Sequence, residues 1–194
     1  MHWLTGRVII VTGGANGIGR AYVEALAQEG ALLLIADIDL SSGRTLSESL
    51  AAAGAQTLAV PTDVSELADV ERMARQTADR FGRIDGLVNN AAFYQRPDSM
   101  ARVPFEQIPL DEWDKMMSVN LRGAFLWCRS VVPFMKLQGS GKIVNISSST
   151  IYYGGNCAAH YVATKAGIIG LPSPWPANWA ATTPMSMPLR PASP

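Results

Sequence analysis

Tyr161 and Lys165 are four residues apart in the segment Ala158–Leu171, whose composition is typical of a helix. Side chains at this spacing project from one helix face. An ammonium beside a phenol stabilises the phenolate and lowers the tyrosine pKa from its usual value of about 10. The pair therefore predicts a general acid/base, although a Tyr-x-x-x-Lys spacing alone is common in structural helices.

A hydroxyl that could assist this tyrosine belongs to Ser148, which lies 13 residues earlier, just past the fifth predicted strand. A loop at that point can place the hydroxyl beside the phenol. Ser147 and Ser149 are alternatives for the same role, and the 13-residue spacing favours Ser148.

A glycine-rich turn, Thr12–Gly19, lies between the first predicted strand and a predicted helix. Glycine permits a tight turn and a close approach of backbone to a pyrophosphate, and a helix N-terminus offers free N–H groups and a positive dipole end. The alternative is a turn without a ligand, which is disfavoured because strand, turn, helix and a downstream acid occur in order. The candidate phosphate contacts are Thr12, Gly13, Asn16, Gly17, Ile18 and Gly19.

The downstream acid is Asp37, at the end of the second predicted strand and 18 residues after Gly19. Its carboxylate can accept hydrogen bonds from adenosine ribose hydroxyls and would repel a 2′-phosphate, which favours NAD over NADP. Asp37 could instead only cap its strand, and Asp39 could share or replace its role.

The elements that must position these residues alternate, from Val8 to Leu171, between short apolar runs and stretches of helical length. This alternation predicts an α/β fold with a doubly wound (Rossmann) parallel sheet of strand order 3-2-1-4-5, which binds ligands near the switch between strands 1 and 4. The predicted strands are Val8–Thr12, Leu32–Asp37, Thr57–Pro61, Gly86–Asn89 and Lys142–Ile146. The predicted helices are Gly17–Glu29, Ser41–Ala53, Ser65–Phe81, Leu110–Leu137 with a kink at Pro133, and one that starts near Ala158.

A long irregular segment, Phe93–Pro109, is predicted at the same sheet edge, where loops of this length are commonly functional or mobile. Aromatic residues at this edge could line an apolar substrate pocket, although such residues often only pack. They are Phe93, Tyr94, Tyr152 and Tyr153.

The overall composition excludes several classes of protein. Sixteen basic and sixteen acidic residues cancel among 194, and no Lys/Arg stripe indicates nucleic acid or an anionic membrane. No apolar run approaches the ~20 residues of a membrane span, so we expect one soluble, cytoplasmic domain. Cys128 and Cys157 are too few for a disulfide framework and lack metal-ligand spacing.

Six motifs, in order and at the expected spacing, resemble the short-chain dehydrogenase/reductase family in its compact form from about Leu4 to Leu171. The family usually has Gly at the position of Ala92, so this chain carries one additional methyl group there. The motifs are Thr12-Gly13-x-x-x-Gly17-x-Gly19, Asp63-Val64, Asn89-Asn90-Ala91-Ala92, Asn120, Ile143-Val144-Asn145-Ile146-Ser147-Ser148 and Tyr161-x-x-x-Lys165.

The resemblance implies hydride transfer between NAD and a small secondary alcohol or ketone. Tyr161 would be the acid/base, Ser148 would orient the substrate oxygen, and Lys165 would lower the tyrosine pKa and hold the nicotinamide ribose. Asn120 would hold a water that links Lys165 to solvent; an asparagine within a helix could equally bond to backbone.

The resemblance also implies how the rest of the cofactor and a second copy of the chain are bound. Asp63 and Val64 would contact adenine, and Asn90 and Ala91 would line the cofactor cleft. In the family, the helices that correspond to Leu110–Leu137 and to the segment from Ala158 usually make homo-oligomer contacts.

The tail 172–194 breaks the pattern, since it holds seven of the twelve prolines and its only charged residue is Arg190. Proline at this density predicts no helix or strand. We therefore expect a Rossmann-type catalytic domain at 1–171 and an irregular tail at 172–194. The later strands of the family would be missing, and the fifth strand would be an exposed edge.

A codon argument offers a cause for this tail. Trp and Met have single codons, which fixes part of its DNA. Read one base out of frame, the codons of Pro174 to Ala180 force Ala, Leu and Gly where the family has them, and those of Met185 to Ala192 permit Val-Asn-Ala-Ile-Ala-Pro-Gly. A one-base deletion near codon 171 would produce this tail, and the alternative function is then a catalytically inactive NAD-binding fragment.

Overall fold

The computed structural model describes residues 3–94, 104–153, 159–171 and 180–185. Its strands are β1 (Val8–Thr12), β2 (Leu32–Asp37), β3 (Thr57–Pro61), β4 (Gly86–Asn89), β5 (Lys142–Ser148) and β6 (Ala180–Met185). Its α-helices are α1 (Gly17–Gln28), α2 (Leu40–Ala52), α3 (Leu67–Phe81), α4 (Leu110–Met116), α5 (Gly123–Leu137), α6 (Thr150–Tyr153) and α7 (Ala159–Gly170).

All six strands form one parallel sheet of order β3-β2-β1-β4-β5-β6. The predicted order of the first five strands is confirmed. All five residues of β1 are buried, because this central strand is covered on both faces of the sheet. The order reverses between β1 and β4, so their carboxyl ends open a crevice.

A hydrophobic core lies on each face of the sheet. On one face α3 and α5 pack their apolar sides, including Met73 and the fully buried Trp127, against β1, β4 and β5. On the other face α1 and α2 contribute Val23 and Leu46. Because both faces of the sheet are covered by helices, polar side chains can come together only at its edges, and the site is expected at the carboxyl edge.

The predicted helices occur with small differences in their bounds. α3 begins at Leu67 and not at Ser65, because the Ser65 hydroxyl and N–H both bond to Asp63. The long predicted helix is irregular at a π-helical turn, Met117–Arg122, and Pro133 lies inside α5. Across the described ranges no helix is both long enough and apolar enough to span a bilayer.

β6 overturns one expectation, that the proline-rich tail contains no strand. Residues Ala180–Met185 pair in parallel with β5, so β5 is not a sheet edge. Proline lacks an N–H, but it is tolerated on an edge strand, and Pro184 lies on the outermost strand of the described sheet. The remaining tail residues, and 95–103 of the predicted loop, lie outside the described residues; Phe105–Gln107 forms a short 3₁₀ turn.

Candidate active site

A cleft of about 410 Å³ opens at the carboxyl ends of β1, β2 and β4. It contains most of the residues that the sequence predicted for cofactor contact. Those that line it are Gly13, Asn16, Gly17, Ile18, Gly19, Asp37, Asp63, Val64, Asn90 and Ala91. Thr12 is buried and is not part of the lining.

The glycine-rich turn requires glycine for two different reasons. Gly13 and Gly17 have φ of +61° and +54°, a region that side chains rarely allow. Gly19 lies so close to the Gly13 carbonyl that a Cβ would overlap it. Gly17, Ile18 and Gly19 at the start of α1 line the cleft, and N–H groups at a helix start are donors that a phosphate can use.

Thr12 and Asn90 fasten the turn after β1 to the turn after β4. The Thr12 hydroxyl accepts hydrogen bonds from the backbone N–H groups of Asn90 and Ala91, both at 3.0 Å. The Asn90 amide donates to the Thr12 and Gly13 carbonyls at 3.0 and 3.1 Å. Thr12 therefore shapes the cleft through its neighbours.

Asp37 and Asp39 have different positions and partners. Asp37 lines the cleft, where its carboxylate accepts from the backbone N–H groups of Ala15 and Asp39. Asp39 is the N-cap of α2 and accepts from Ser42 N–H and Asn16 Nδ2; hydrogen bonds from the Ser42 side chain, the Ser42 backbone and Asn16 lower its pKa. Geometry therefore favours Asp37 for a ribose contact.

Tyr161 and Lys165 share the face of α7 that meets the end of β5. Lys165 is buried, its Nζ lies 5.8 Å from the centre of the Tyr161 ring, and it donates to the Ile146 carbonyl at 2.8 Å. Burial lowers the pKa of Lys165 from 10.5 to about 8. At neutral pH the ammonium is charged and close enough to stabilise a phenolate.

The three serines at the end of β5 differ in what their hydroxyls contact. Ser147 is buried, and its hydroxyl donates to the Lys165 carbonyl at 2.7 Å. This hydrogen bond joins the end of β5 to α7. Ser148 is half-buried and accepts from the Thr150 hydroxyl at 2.9 Å, and the Ser148 proton can still be donated. Ser149 opens the short α6 turn and accepts the Tyr152 N–H at its carbonyl.

Asn120 lies in the π-helical turn, and its side chain holds the backbone of Phe93. Its Oδ1 accepts from Phe93 N–H at 2.6 Å and its Nδ2 donates to the Phe93 carbonyl at 3.0 Å. The side chain is thus engaged with backbone, as one of the two interpretations predicted. Phe93 in turn lines the cofactor cleft.

Tyr94 is the aromatic residue that the structure brings to Tyr161. Their rings meet edge to face, with centroids 4.8 Å apart. Tyr152 is largely exposed, and the side chain of Tyr153 lies outside the described atoms.

Sequence reasoning missed several residues at the site. Ile38, Ala92, Lys115 and Val119 line the cleft, and the i, i+4 spacing of Lys115 and Val119 just before Asn120 was the available signal. His160 was also missed. It is buried beside Tyr161 and is paired with Glu112, and no spacing in the chain links these two residues.

A family model described as short chain dehydrogenase matches residues 7–183. Levodione reductase from Leifsonia aquatica is 40% identical over 170 residues, which are 86% of this chain and 61% of that protein. Sorbitol dehydrogenase from Cereibacter sphaeroides is 36% identical over 169 residues, 87% of this chain and 62% of that protein. The crystal structure of levodione reductase matches with a TM-score of 0.80 at 38% identity, over 87% of this chain and 64% of that one. The chain therefore spans about three-fifths of the length of these relatives.

Proposed function

The chain belongs to the short chain dehydrogenase family, and from this premise we propose that it transfers hydride between NAD and a small secondary alcohol or ketone. The observation that carries the proposal is that the buried Lys165 lies 5.8 Å from the Tyr161 ring, and that this ring contacts Tyr94, the residue after the cleft-lining Phe93. The two relatives above are named as a reductase and a dehydrogenase.

The cleft fits a nicotinamide dinucleotide. The tight glycine turn and the N-terminus of α1, whose first residues line the cleft, suit a pyrophosphate. Asp37 would accept from the adenosine ribose, which favours NAD because a 2′-phosphate would meet its negative charge. Asp63 and Val64 would flank the adenine, with Asn90 and Ala91 along the same wall.

When bound, the nicotinamide ring supplies the acceptor or donor of hydride, and the chain's own residues manage the proton. Tyr161 would exchange a proton with the substrate oxygen, and its phenolate would be stabilised by the Lys165 ammonium. Ser148 would donate a hydrogen bond to the same oxygen. Lys165 would reach the nicotinamide ribose after leaving the Ile146 carbonyl.

Asn120 would contribute through its backbone. Because its side chain is committed to Phe93, the group left to hold a water near Lys165 is the main-chain carbonyl. A π-helical turn shifts carbonyls out of the regular i→i−4 pattern, which makes such a carbonyl available.

An apolar face of α5 and α7, together with the π-helical turn, supports self-association. It surrounds a depression of about 850 Å³, and Phe125 there is 49% exposed. We propose that a second copy of the chain covers this face, which is lined by Met117, Leu121, Phe125, Gly167, Gly170 and Leu171.

The alternative that the sequence raised is an inactive NAD-binding fragment, because the tail 172–194 departs from the alternation of the first 171 residues; the family match through residue 183 and the pairing of Ala180–Met185 with β5 do not favour it. The proposed domain division is 1–171 for cofactor and chemistry, with the tail adding β6. Cofactor binding without turnover would identify the fragment.

The deciding experiment titrates the chain with NADH and NADPH and then measures NAD-dependent oxidation of a panel of secondary alcohols. We expect tighter binding of NADH than of NADPH and turnover that Tyr161→Phe abolishes while NADH binding persists. A parallel chain with the alternative reading frame after codon 171 tests the tail. If only that chain oxidises alcohols, the 194-residue chain is the inactive NAD-binding fragment. If neither chain binds NADH, the proposed function is wrong.

A further inference from the structure

His160 is a buried titratable residue that the proposed chemistry does not use. Its side chain is 1% exposed, and its Nε2 lies 2.7 Å from Oε1 of Glu112. Its ring also stacks on Trp113, with centroids 6.5 Å apart and the planes 26° from parallel. Two neighbouring residues of α4 therefore hold one imidazole of α7.

This hydrogen bond has a defined direction and a favourable setting. A carboxylate can only accept, so Nε2 of His160 donates. A hydrogen bond to a charged acceptor is shorter and stronger than one between neutral groups. Because the imidazole is shielded from water, the bond can hold the ring in one orientation.

The bond acts next to the candidate acid/base residue. α7 spans Ala159–Gly170 in the described chain, so His160 directly precedes Tyr161 on this helix. A contact that holds the buried His160 ring restrains the backbone of the next residue, and with it the direction of the Tyr161 side chain.

A second residue, Tyr94, from the part of the chain before α4, contacts Tyr161 itself. Tyr94 lies edge-on to the Tyr161 ring, and Glu112 lies beyond the segment that follows Tyr94 in the chain. Tyr94 thus contacts Tyr161, and Glu112 contacts the preceding residue of α7, His160.

We propose that His160 and Glu112 are positioning residues, which fix the backbone of α7 at His160 so that the Tyr161 phenol is held near the Lys165 ammonium. This inference rests on the proposed acid/base role of Tyr161. Neither residue of the pair touches substrate or cofactor; each acts through the orientation of the tyrosine.

The test is a spectrophotometric titration of tyrosinate, which needs no turnover. The signal of Tyr161 among the five tyrosines is the difference between each protein and the same protein carrying Tyr161→Phe. We expect Glu112→Ala to move the Tyr161 pKa up towards the ordinary value of a tyrosine, because the phenol is no longer held near the ammonium. In turnover, kcat should fall about tenfold while the Kd for NADH stays unchanged.

Two further variants separate positioning from general packing. Glu112→Gln keeps an acceptor oxygen and should retain most of the parent behaviour. Asp111→Ala removes an exposed carboxylate from the same turn of α4 and should leave the Tyr161 pKa and kcat unchanged. Thermal melting of each variant verifies that it is folded.

The outcomes distinguish this inference from the function on which it rests. If the parent has a Tyr161 pKa well below the ordinary value and Glu112→Ala leaves that pKa and kcat unchanged, the positioning role is wrong and the proposed function stands. If the parent Tyr161 ionises at the ordinary value, the acid/base proposal fails first, and the positioning role falls with it.

Discussion

Lys165 brings a positive charge into a site that is almost closed to water. Its side chain is 3% exposed and its ammonium has one carbonyl, that of Ile146, as a hydrogen-bond acceptor in the described chain. Removing a charge from water is costly, and this cost lowers the pKa of Lys165 to about 8. Burial of the Lys165 ammonium beside Tyr161 therefore lowers the free energy of unfolding of the folded protein.

This cost should be visible in the pH dependence of unfolding. Below pH 8 the lysine is protonated in both states and the burial cost is complete; between about 8 and 10.5 the unfolded chain binds more protons, so stability rises with pH. We expect the free energy of unfolding of Lys165→Met to exceed that of the parent most clearly near neutral pH. Urea unfolding at about pH 7 and about pH 9.5 should show this gap narrowing at the higher pH.

The control for this measurement is Lys136→Met, which removes an exposed lysine of α5. Its free energy of unfolding should run parallel to that of the parent over the same pH range. If the free energy of unfolding of Lys165→Met also ran parallel to that of the parent over this pH range, Lys165 would not be a buried charged group.

At the residue scale, spacing predicts which side chains should be close together but not which hydrogen bonds each of them makes. The 13-residue interval favours Ser148, which stays a prediction; the structure shows that the Ser147 hydroxyl donates to the Lys165 carbonyl. Asp37 and Asp39 were open alternatives because one ends β2 and the other lies two residues later, and only the start of α2 shows that Asp39 is a cap. The His160–Glu112 pair joins residues 48 apart and has no signature in the sequence.

At the scale of elements, the turn between β1 and α1 is the most tightly constrained connection of the site. Gly19 belongs to the first turn of α1, and the carbonyl of Gly13 and the amide of Asn90 occupy the space that a side chain would need. The turn can form only if position 19 has no Cβ.

Gly19→Ala should therefore widen this turn and weaken the site. We expect the Kd for NADH to rise more than tenfold and the free energy of unfolding to fall by about 1–3 kcal/mol, because overpacked backbone must move. Fluorescence titration with NADH and urea unfolding measure the two effects. Gly170→Ala is the matched control, since a Cβ there meets open space; equal behaviour of the two variants would contradict the constraint.

The bounds of most elements were predictable because apolar runs and glycine breaks are local signals. The π-helical turn at Met117–Arg122 was not, since it depends on Asn120 reaching Phe93, 27 residues away in the chain. β6 was missed because proline argues against a strand, and only the free side of β5 makes an edge position available for it.

At the scale of the whole molecule, the face around Phe125 should decide the oligomeric state. Phe125→Glu places a charge in an apolar surface, and we expect it to shift the parent oligomer to a monomer in analytical ultracentrifugation. Leu137→Glu is the control, because Leu137 is 89% exposed near the end of the same helix. A parent that is monomeric at all concentrations, or a Phe125→Glu protein of unchanged mass, would refute self-association through this face.

The position of β1 between β2 and β4 also has a consequence for synthesis on the ribosome. β1 can pair with β2 early, but its other neighbour begins only about 75 residues later in the chain. At 5–20 residues per second, the ribosome takes roughly 4–15 s to deliver that strand. Until then at least one edge of this very apolar strand has no partner, so the nascent chain should depend on chaperones most strongly before β4 emerges.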